Sequence, residues 1–383
     1  MSHDFLQEIS EHFAHSKHEV IFFELGKRTN LLLTSFISNS TRGQPHGGIK
    51  LRSYSSVREL VQDGIKLSQS NSVKSALADL WIGGGKGIIP EPLDRKHLNP
   101  DFRQELCFDY GDFLSGLNGC FVGSADAGLN NYDINRIHSR TRYITGMTED
   151  IGGLGNPAVT IAKGQAIISE LLDIGVGSVY ATDCSQKRVD DLKDLFSEKA
   201  EGRLEIMKVP FGDNKILSRK CHIFSPCAIG NLITKDTIPL IQSRIICGLA
   251  YNQLGGGISS KLLRKEGITF VSDDIIANRM GLVHDYIEAQ GRLANDPIIE
   301  KHFSRDWEYS IFAVTKKILQ KAKDDDVDLE QAAKLIADQS RITKHPLWFN
   351  RTELIVKSLI ENDWHKNKDF WRKRSNFPGA RNV

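Results

Sequence analysis

The chain has 383 residues, 40% hydrophobic and 26% charged, the make-up of an ordinary globular protein long enough for two domains. Lysine and arginine number 50 against 48 acidic residues, a net charge of +2, so no concentrated basic surface argues for nucleic acid. No uncharged apolar run reaches the length of a membrane span, and Met1-Ser2-His3-Asp4 opens no secretory leader, so a cytoplasmic protein is expected.

Phe5, Ile9 and Phe13 share one face of an amphipathic helix over 5–15. Strands follow at Glu19–Leu25 and Asn30–Ile37, and the Gly-Lys-Arg-Thr between them suits a hairpin. Gly43–Gly48 reads as a loop by composition. Ser56 caps a helix from Val57 to about Gln69, with Glu59 as capping-box partner, and a second helix covers Val73–Leu80. Helix is expected over Asp101–Asn118, strand over Phe121–Asp126 and a short helix over Tyr132–Arg140.

Past Thr148 the texture alternates. Helices at Gln165–Leu172, Lys187–Lys199 and Ser259–Glu266 alternate with strands at Ser178–Thr182, Leu204–Val209, His222–Ser225, Arg244–Ala250 and Ile268–Ser272. That alternation means a parallel sheet covered on both faces. The remainder is helical: Gly281–Arg292, Pro297–Lys321, Leu329–Gln339 and Glu353–Arg374. The expected organisation is α/β in two domains. A substrate domain over 1–147 precedes a shortened doubly wound, Rossmann-like domain over 148–285, and helices over 286–383 pack back on the first. The basic tail from Lys366 to Arg374 reads as an amphipathic terminal helix. The six cysteines form no C-x-x-C pair, and reduced, buried thiols are expected. No metal-binding pattern stands out.

Gly83-Gly84-Gly85-Lys86-Gly87 sits between Leu80-Trp81-Ile82 and Ile88-Ile89. By itself it reads as a turn beside a lysine. Glycines permit close backbone approach, and an apolar frame lowers the proton affinity of a lysine. Lys74 lies twelve residues earlier, and Asp126 closes a strand. Two lysines brought close repel, so one becomes a base near neutral pH, and a carboxylate offsets and orients the charge.

With His46-Gly47-Gly48-Ile49-Lys50-Leu51, these residues resemble the glutamate/leucine/phenylalanine/valine dehydrogenase family, on the leucine/phenylalanine/tryptophan side. Further motifs agree: Cys221–Gly230, Asp236-Thr237-Ile238-Pro239 and Ala250-Tyr251-Asn252-Gln253-Leu254. The likeness runs from about residue 5 to about residue 290. It implies oxidative deamination of an L-amino acid to a 2-oxo acid with NAD or NADP, in a homo-oligomer, with the site in the cleft between domains. It gives Lys74 the substrate carboxylate, Lys86 the water and Asp126 the amino group. Gly47, Gly48 and His46 line the substrate pocket, and Asn252 lies near nicotinamide and substrate. His46 replaces an apolar or cationic residue of relatives, which points to a polar or aromatic substrate side chain, with a hydrogen-bond acceptor as the working expectation.

The pattern breaks at the nucleotide turn. Asp183 ends Val179–Thr182, placed for an adenosine ribose. The G-x-G-x-x-G that should precede it is missing, and about 30 residues, one βαβ unit's worth, are absent relative to the pattern. Val159–Ala162, with Thr160 as a candidate cofactor contact, stands as a shortened substitute strand before Lys163-Gly164. Arg279 and Met280 follow Asn278 where relatives carry small residues. Two readings stay open: a dehydrogenase with a trimmed nucleotide site, or a homologue without nucleotide. The second would do imine hydrolysis or condensation, or only bind an amino or 2-oxo acid, in the same pocket.

Overall fold

The computed structural model describes residues 18–91, 99–155, 164–228, 230–250, 252–291, 293 and 296–361. The expected helix over 5–15 and the basic tail lie outside the described residues. Two compact units divide the chain. One combines Met1–Pro157, Leu282–Ser310 and Leu335–Val383; the other combines Ala158–Gly281 with Ile311–Lys334.

The first unit is built on a five-stranded sheet ordered β1-β2-β4-β3-β5. Its strands are β1 (Val20–Leu25), β2 (Leu32–Asn39), β3 (Pro45–Arg52), β4 (Gly83–Pro90) and β5 (Val122–Ala125). β1, β2 and β4 run antiparallel in succession, while β3 is parallel to both β4 and β5. The β1–β2 turn is held by buried Asp109, which accepts from the Arg28 and Thr29 amides.

Alternate residues serve opposite faces of a strand. One face packs Phe36 and Ile88 against Leu60, Val61 and Ile65 of α1 (Val57–Leu77). The other packs Ile49, Leu51 and Ile89 against Tyr110 and Phe113 of α2 (Pro100–Gly116) and Ile134 of α3 (Asn131–His138).

Four local expectations change. Gly83–Gly87 and Pro45–Gly48 are buried strand, where composition suggested a turn and a loop. None of these glycines adopts a positive φ. Their missing side chains serve proximity: a Cβ at Gly84 would lie 2.5 Å from both the Ser68 carbonyl oxygen and the Ser72 amide nitrogen. The helix thus rests directly on β4. Residues 57–77 form one helix, not two, because the polar stretch Ser68–Ser72 is satisfied in place. Asn71 Nδ2 donates to the Gly85 carbonyl at 2.8 Å, and Ser68 Oγ donates to Ile65 at 3.0 Å. Ser56 caps that helix through the Glu59 amide, but the Glu59 carboxylate accepts from Ser55 instead of closing the box on Ser56.

In the second unit every described strand pairing is parallel. β6 (Val179–Asp183) pairs with β7 (Leu204–Lys208), and β8 (Ile223–Phe224), β9 (Ile245–Cys247) and β10 (Thr269–Val271) form a ladder ordered β10-β9-β8. Ile168 and Leu172 of α4 (Gly164–Asp173) pack on Val179, and α5 is Gln186–Leu195. Leu263 of α6 (Ser260–Lys265) packs with Phe224, Ile246 and Phe270.

Past a π-type turn at Asp273–Ala277 come α7 (Met280–Gln290), α8 (Pro297–Phe303), α9 (Ile311–Asp324), α10 (Leu329–Arg341) and α11 (Arg351–Glu361). The helix expected over 297–321 is thus two, separated by a segment in which Trp307 meets His302 and Tyr309 edge to face. All six cysteines are free; Cys107 and Cys120 are buried, but Cys184 and Cys227 are exposed, so the expectation of uniformly buried thiols is corrected. Among the described residues no helix is long and apolar enough to cross a membrane, and no group of three acidic, His or Cys residues could hold a metal.

Candidate active site

Register across β4, β3 and β5 assembles the site on the α1 face of the first sheet. His46 pairs with Gly84 and Val122, and Gly48 pairs with Ser124. Residues paired in this way point to the same face, so His46, Gly48, Lys86, Ser124 and Asp126 share it. Lys86 Nζ donates to Asp126 Oδ2, joining β4 to the end of β5. The other Asp126 oxygen accepts from the Ala127 amide at 2.7 Å.

Burial disfavours the charged form of Asp126. The charge and hydrogen bond of Lys86 outweigh it, with help from the Ala127 amide and from Lys50, and hold the carboxyl below the usual carboxylate range. Lys50 is itself paired with Asp63 at 2.8 Å, and Tyr54 donates to the same oxygen at 2.7 Å.

The glycines make room. A Cβ at Gly48 would lie 2.7 Å from the Asp126 Cβ, and one at Gly47 would collide with the Gly85 carbonyl and Asn71. Lys74, buried in the last turn of α1, acts electrostatically on a carboxyl that also feels Asp126. That carboxyl is Asp285 on α7, and the sequence reading missed it. Ser124 Oγ donates to it at 2.6 Å across 161 residues of chain. Burial, followed by the like charges of Glu288 and Asp126, pushes Asp285 up to about 7, against the opposing effects of Ser124 and Lys74.

Glu288, one turn along α7, was missed too. It accepts from the amides of Gly146 (2.6 Å), Met147 (3.2 Å) and Leu154 (2.7 Å), tying the segment after α3 to the helix. A signal existed for Ser124, which precedes Asp126 by one strand period. For Asp285 the only signal was its spacing of three from Glu288 on an expected helix.

His46 is buried, and Nδ1 lies 2.9 Å from the Gln44 carbonyl oxygen. A carbonyl only accepts, so Nδ1 carries the proton and Nε2 is an acceptor. Nε2 is buried with no hydrogen-bond partner. Desolvation lowers the ring to about 4, so it is neutral. A neutral ring of this tautomer seeks a donor from its ligand, the reverse of the acceptor expected from sequence.

The nucleotide-type residues belong to the second unit. Asp183 ends β6; Oδ1 accepts from the Ser185 amide at 2.8 Å, and Oδ2 lies 3.6 Å from exposed Arg188. That second oxygen is beyond hydrogen-bond range of Arg188 and can accept from a ligand hydroxyl. Asn252 is exposed in a left-handed turn (φ 53°), with its carbonyl accepting from Asn231. Asn278, Arg279 and Met280 are buried, and desolvation lowers Arg279 to about 10. Thr160, the substitute strand Val159–Ala162 and Lys163 of the shortened turn lie outside the described residues, as does Tyr251, while Gly164 opens α4.

A sequence model described as Glutamate/Leucine/Phenylalanine/Valine dehydrogenase matches residues 134–345. L-tryptophan dehydrogenase of Nostoc punctiforme (strain ATCC 29133 / PCC 73102) is 29% identical over 341 residues, covering 84% of this chain and 92% of that protein. Leucine dehydrogenase of Thermoactinomyces intermedius is 31% identical over 280 residues, covering 67% and 75%. Among solved structures, L-tryptophan dehydrogenase from Nostoc punctiforme superposes with a TM-score of 0.66 at 23% identity, over 90% of this chain and 99% of that one. Hetero-hexameric glutamate dehydrogenase from Thermus thermophilus gives 0.63 at 14% identity, over 90% and 97%. These structural likenesses show the two-domain, Rossmann-containing α/β fold.

Proposed function

The chain belongs to the glutamate/leucine/phenylalanine/valine dehydrogenase family, and on that premise we propose that it oxidatively deaminates an L-amino acid to a 2-oxo acid with NAD or NADP. The pairing of buried Lys86 with half-buried Asp126 beside Gly47 and Gly48 carries the reading. The reaction consumes an amino acid, water and oxidised nucleotide, and yields the 2-oxo acid, ammonium, reduced nucleotide and a proton.

Each residue answers one demand of that chemistry. Lys74 holds the substrate carboxylate by a charge-assisted hydrogen bond and so fixes the α-carbon. Lys86 takes a proton from the water that attacks the iminium carbon. Asp126 orients Lys86 and exchanges protons with the amino group. Gly47 and Gly48 keep the wall beside Asp126 free of side chains. A bound nicotinamide supplies the acceptor for the hydride leaving the α-carbon. Asp183, with one carboxylate oxygen free to accept, suits an adenosine ribose hydroxyl; Asn252 and Thr160 remain candidate contacts. Family membership favours this redox reading over imine hydrolysis, condensation or simple binding.

Amino-acid-dependent formation of NADH or NADPH by the purified chain tests it. Lys86→Ala should lower kcat by about 10²–10⁴-fold with the fold intact. A wild-type rate in that variant would remove Lys86 from the chemistry.

A further inference from the structure

On the reading that this site takes an L-amino acid, we propose that Ser124, Asp285 and the Nε2 of His46 form its side-chain end and select a substrate bearing a terminal ammonium or guanidinium. Geometry places the three together. Ser124 is one strand period from Asp126, so the two share a face, and His46, paired with Val122, is one diagonal step from Ser124. Asp285 reaches that face through the Ser124 hydroxyl at 2.6 Å.

The two carboxylates of α7 are used differently. Glu288 has both oxygens occupied by three backbone amides, a structural clamp. Asp285, equally buried, receives one hydroxyl, and no ion pair meets it among the described residues. A buried carboxylate with so little compensation is costly, and its raised proton affinity expresses that cost. Lys74 is the cation that eases it. Once Lys74 takes the substrate carboxylate its charge is spent there, and Asp285 loses that support. A cation on the same substrate restores it.

The polarity of the other groups agrees. The Asp285 carboxylate and His46 Nε2 are both acceptors, and Nε2 is buried without a donor. An apolar side chain would leave Nε2 without a donor and Asp285 with the Ser124 hydroxyl alone, whereas a terminal ammonium or guanidinium brings several N–H donors and a charge.

The test uses the full chain. Calorimetric binding of L-lysine, L-ornithine, L-arginine, L-glutamine and L-leucine is measured beside nucleotide reduction by each, for wild type, Asp285→Asn and Ser124→Ala. At least one basic amino acid should have a Kd lower than that of L-leucine, or a kcat/KM higher, by on the order of 10²-fold, and Asp285→Asn should cut that preference by at least about 10-fold. Ser124→Ala should cut it in the same direction, which covers the case of a poorly folded Asp285→Asn. A wild type that prefers L-leucine, or takes L-glutamine as well as the basic series, overturns the proposal. So does an Asp285→Asn variant that weakens all five equally, the mark of a structural role. Basic amino acids that bind through Asp285 without any nucleotide being reduced would sink the dehydrogenase reading and leave this inference standing; oxidation of L-leucine alone would do the opposite.

Discussion

His46 and His18 are two neutral imidazoles held in buried positions. Desolvation lowers both to about 4; the charge of Arg341 adds to the effect at His18, whose Nε2 lies 2.7 Å from Ser68 Oγ. Both titrate near 6.5 when unfolded. As pH falls below 6.5 the unfolded chain takes up protons that the folded chain refuses, so stability present above that pH is lost as pH falls towards 4. Each histidine contributes up to ~3 kcal/mol to that loss. The midpoint of urea unfolding should fall steadily over this window, and His46→Gln should flatten the slope; an unchanged slope would mean the ring is already charged when folded. The letter H announced a polar wall at position 46, but its tautomer is set by the Gln44 carbonyl, which spacing does not reveal. Asp285 was harder still: its meaning comes from a hydroxyl 161 residues away. Lys74, Lys86 and Asp126 were legible because each stands inside a motif.

The glycine-rich strands show the same limit one scale up. Strand statistics disfavour Gly, so 45–48 and 83–87 read as loop and turn. Their glycines are explained by close neighbours from elsewhere in the fold, α1 at Gly84, Phe121 at Gly85, Tyr110 at Gly87 and Asp126 at Gly48, tertiary demands that override local preference. Hydrophobic periodicity, by contrast, placed α2, α3 and the β1–β2 pair with small shifts at the ends. Two glycines of the 83–87 run should respond differently to alanine. At Gly84 the new methyl meets backbone of α1, which can yield only by moving the helix that carries Lys74; at Gly85 it meets the ring of Phe121, which can turn. Gly84→Ala should cost about 1–3 kcal/mol and raise KM for the amino acid, with a smaller effect for Gly85→Ala. Equal melting temperatures and equal KM values in the two variants would show that α1 does not rest on β4 as described.

At the scale of the molecule, alternation of strand and helix after residue 148 announced a parallel α/β unit, and that unit is present. Less legible was how the chain returns: residues 282–310 and 335–383 join the first unit, whereas 311–334 stay with the second. Burial patterns on α7 and α9 give each helix an apolar face without saying which sheet it meets. Asp285 and Glu288 travel to the substrate residues on that return, so the site around Lys86 and Asp126 gains two further buried carboxylates from α7. The proposed function rests on a bound nucleotide, for which Asp183 at the end of β6 is the proposed ribose contact. Titration with NADH and NADPH, followed by nucleotide fluorescence and by calorimetry, therefore bears on the central claim most directly. An amino-acid dehydrogenase predicts saturable binding of one of them below about 0.1 mM, weakened by Asp183→Ala. No binding of either, with an amino or 2-oxo acid still raising the melting temperature, would contradict it.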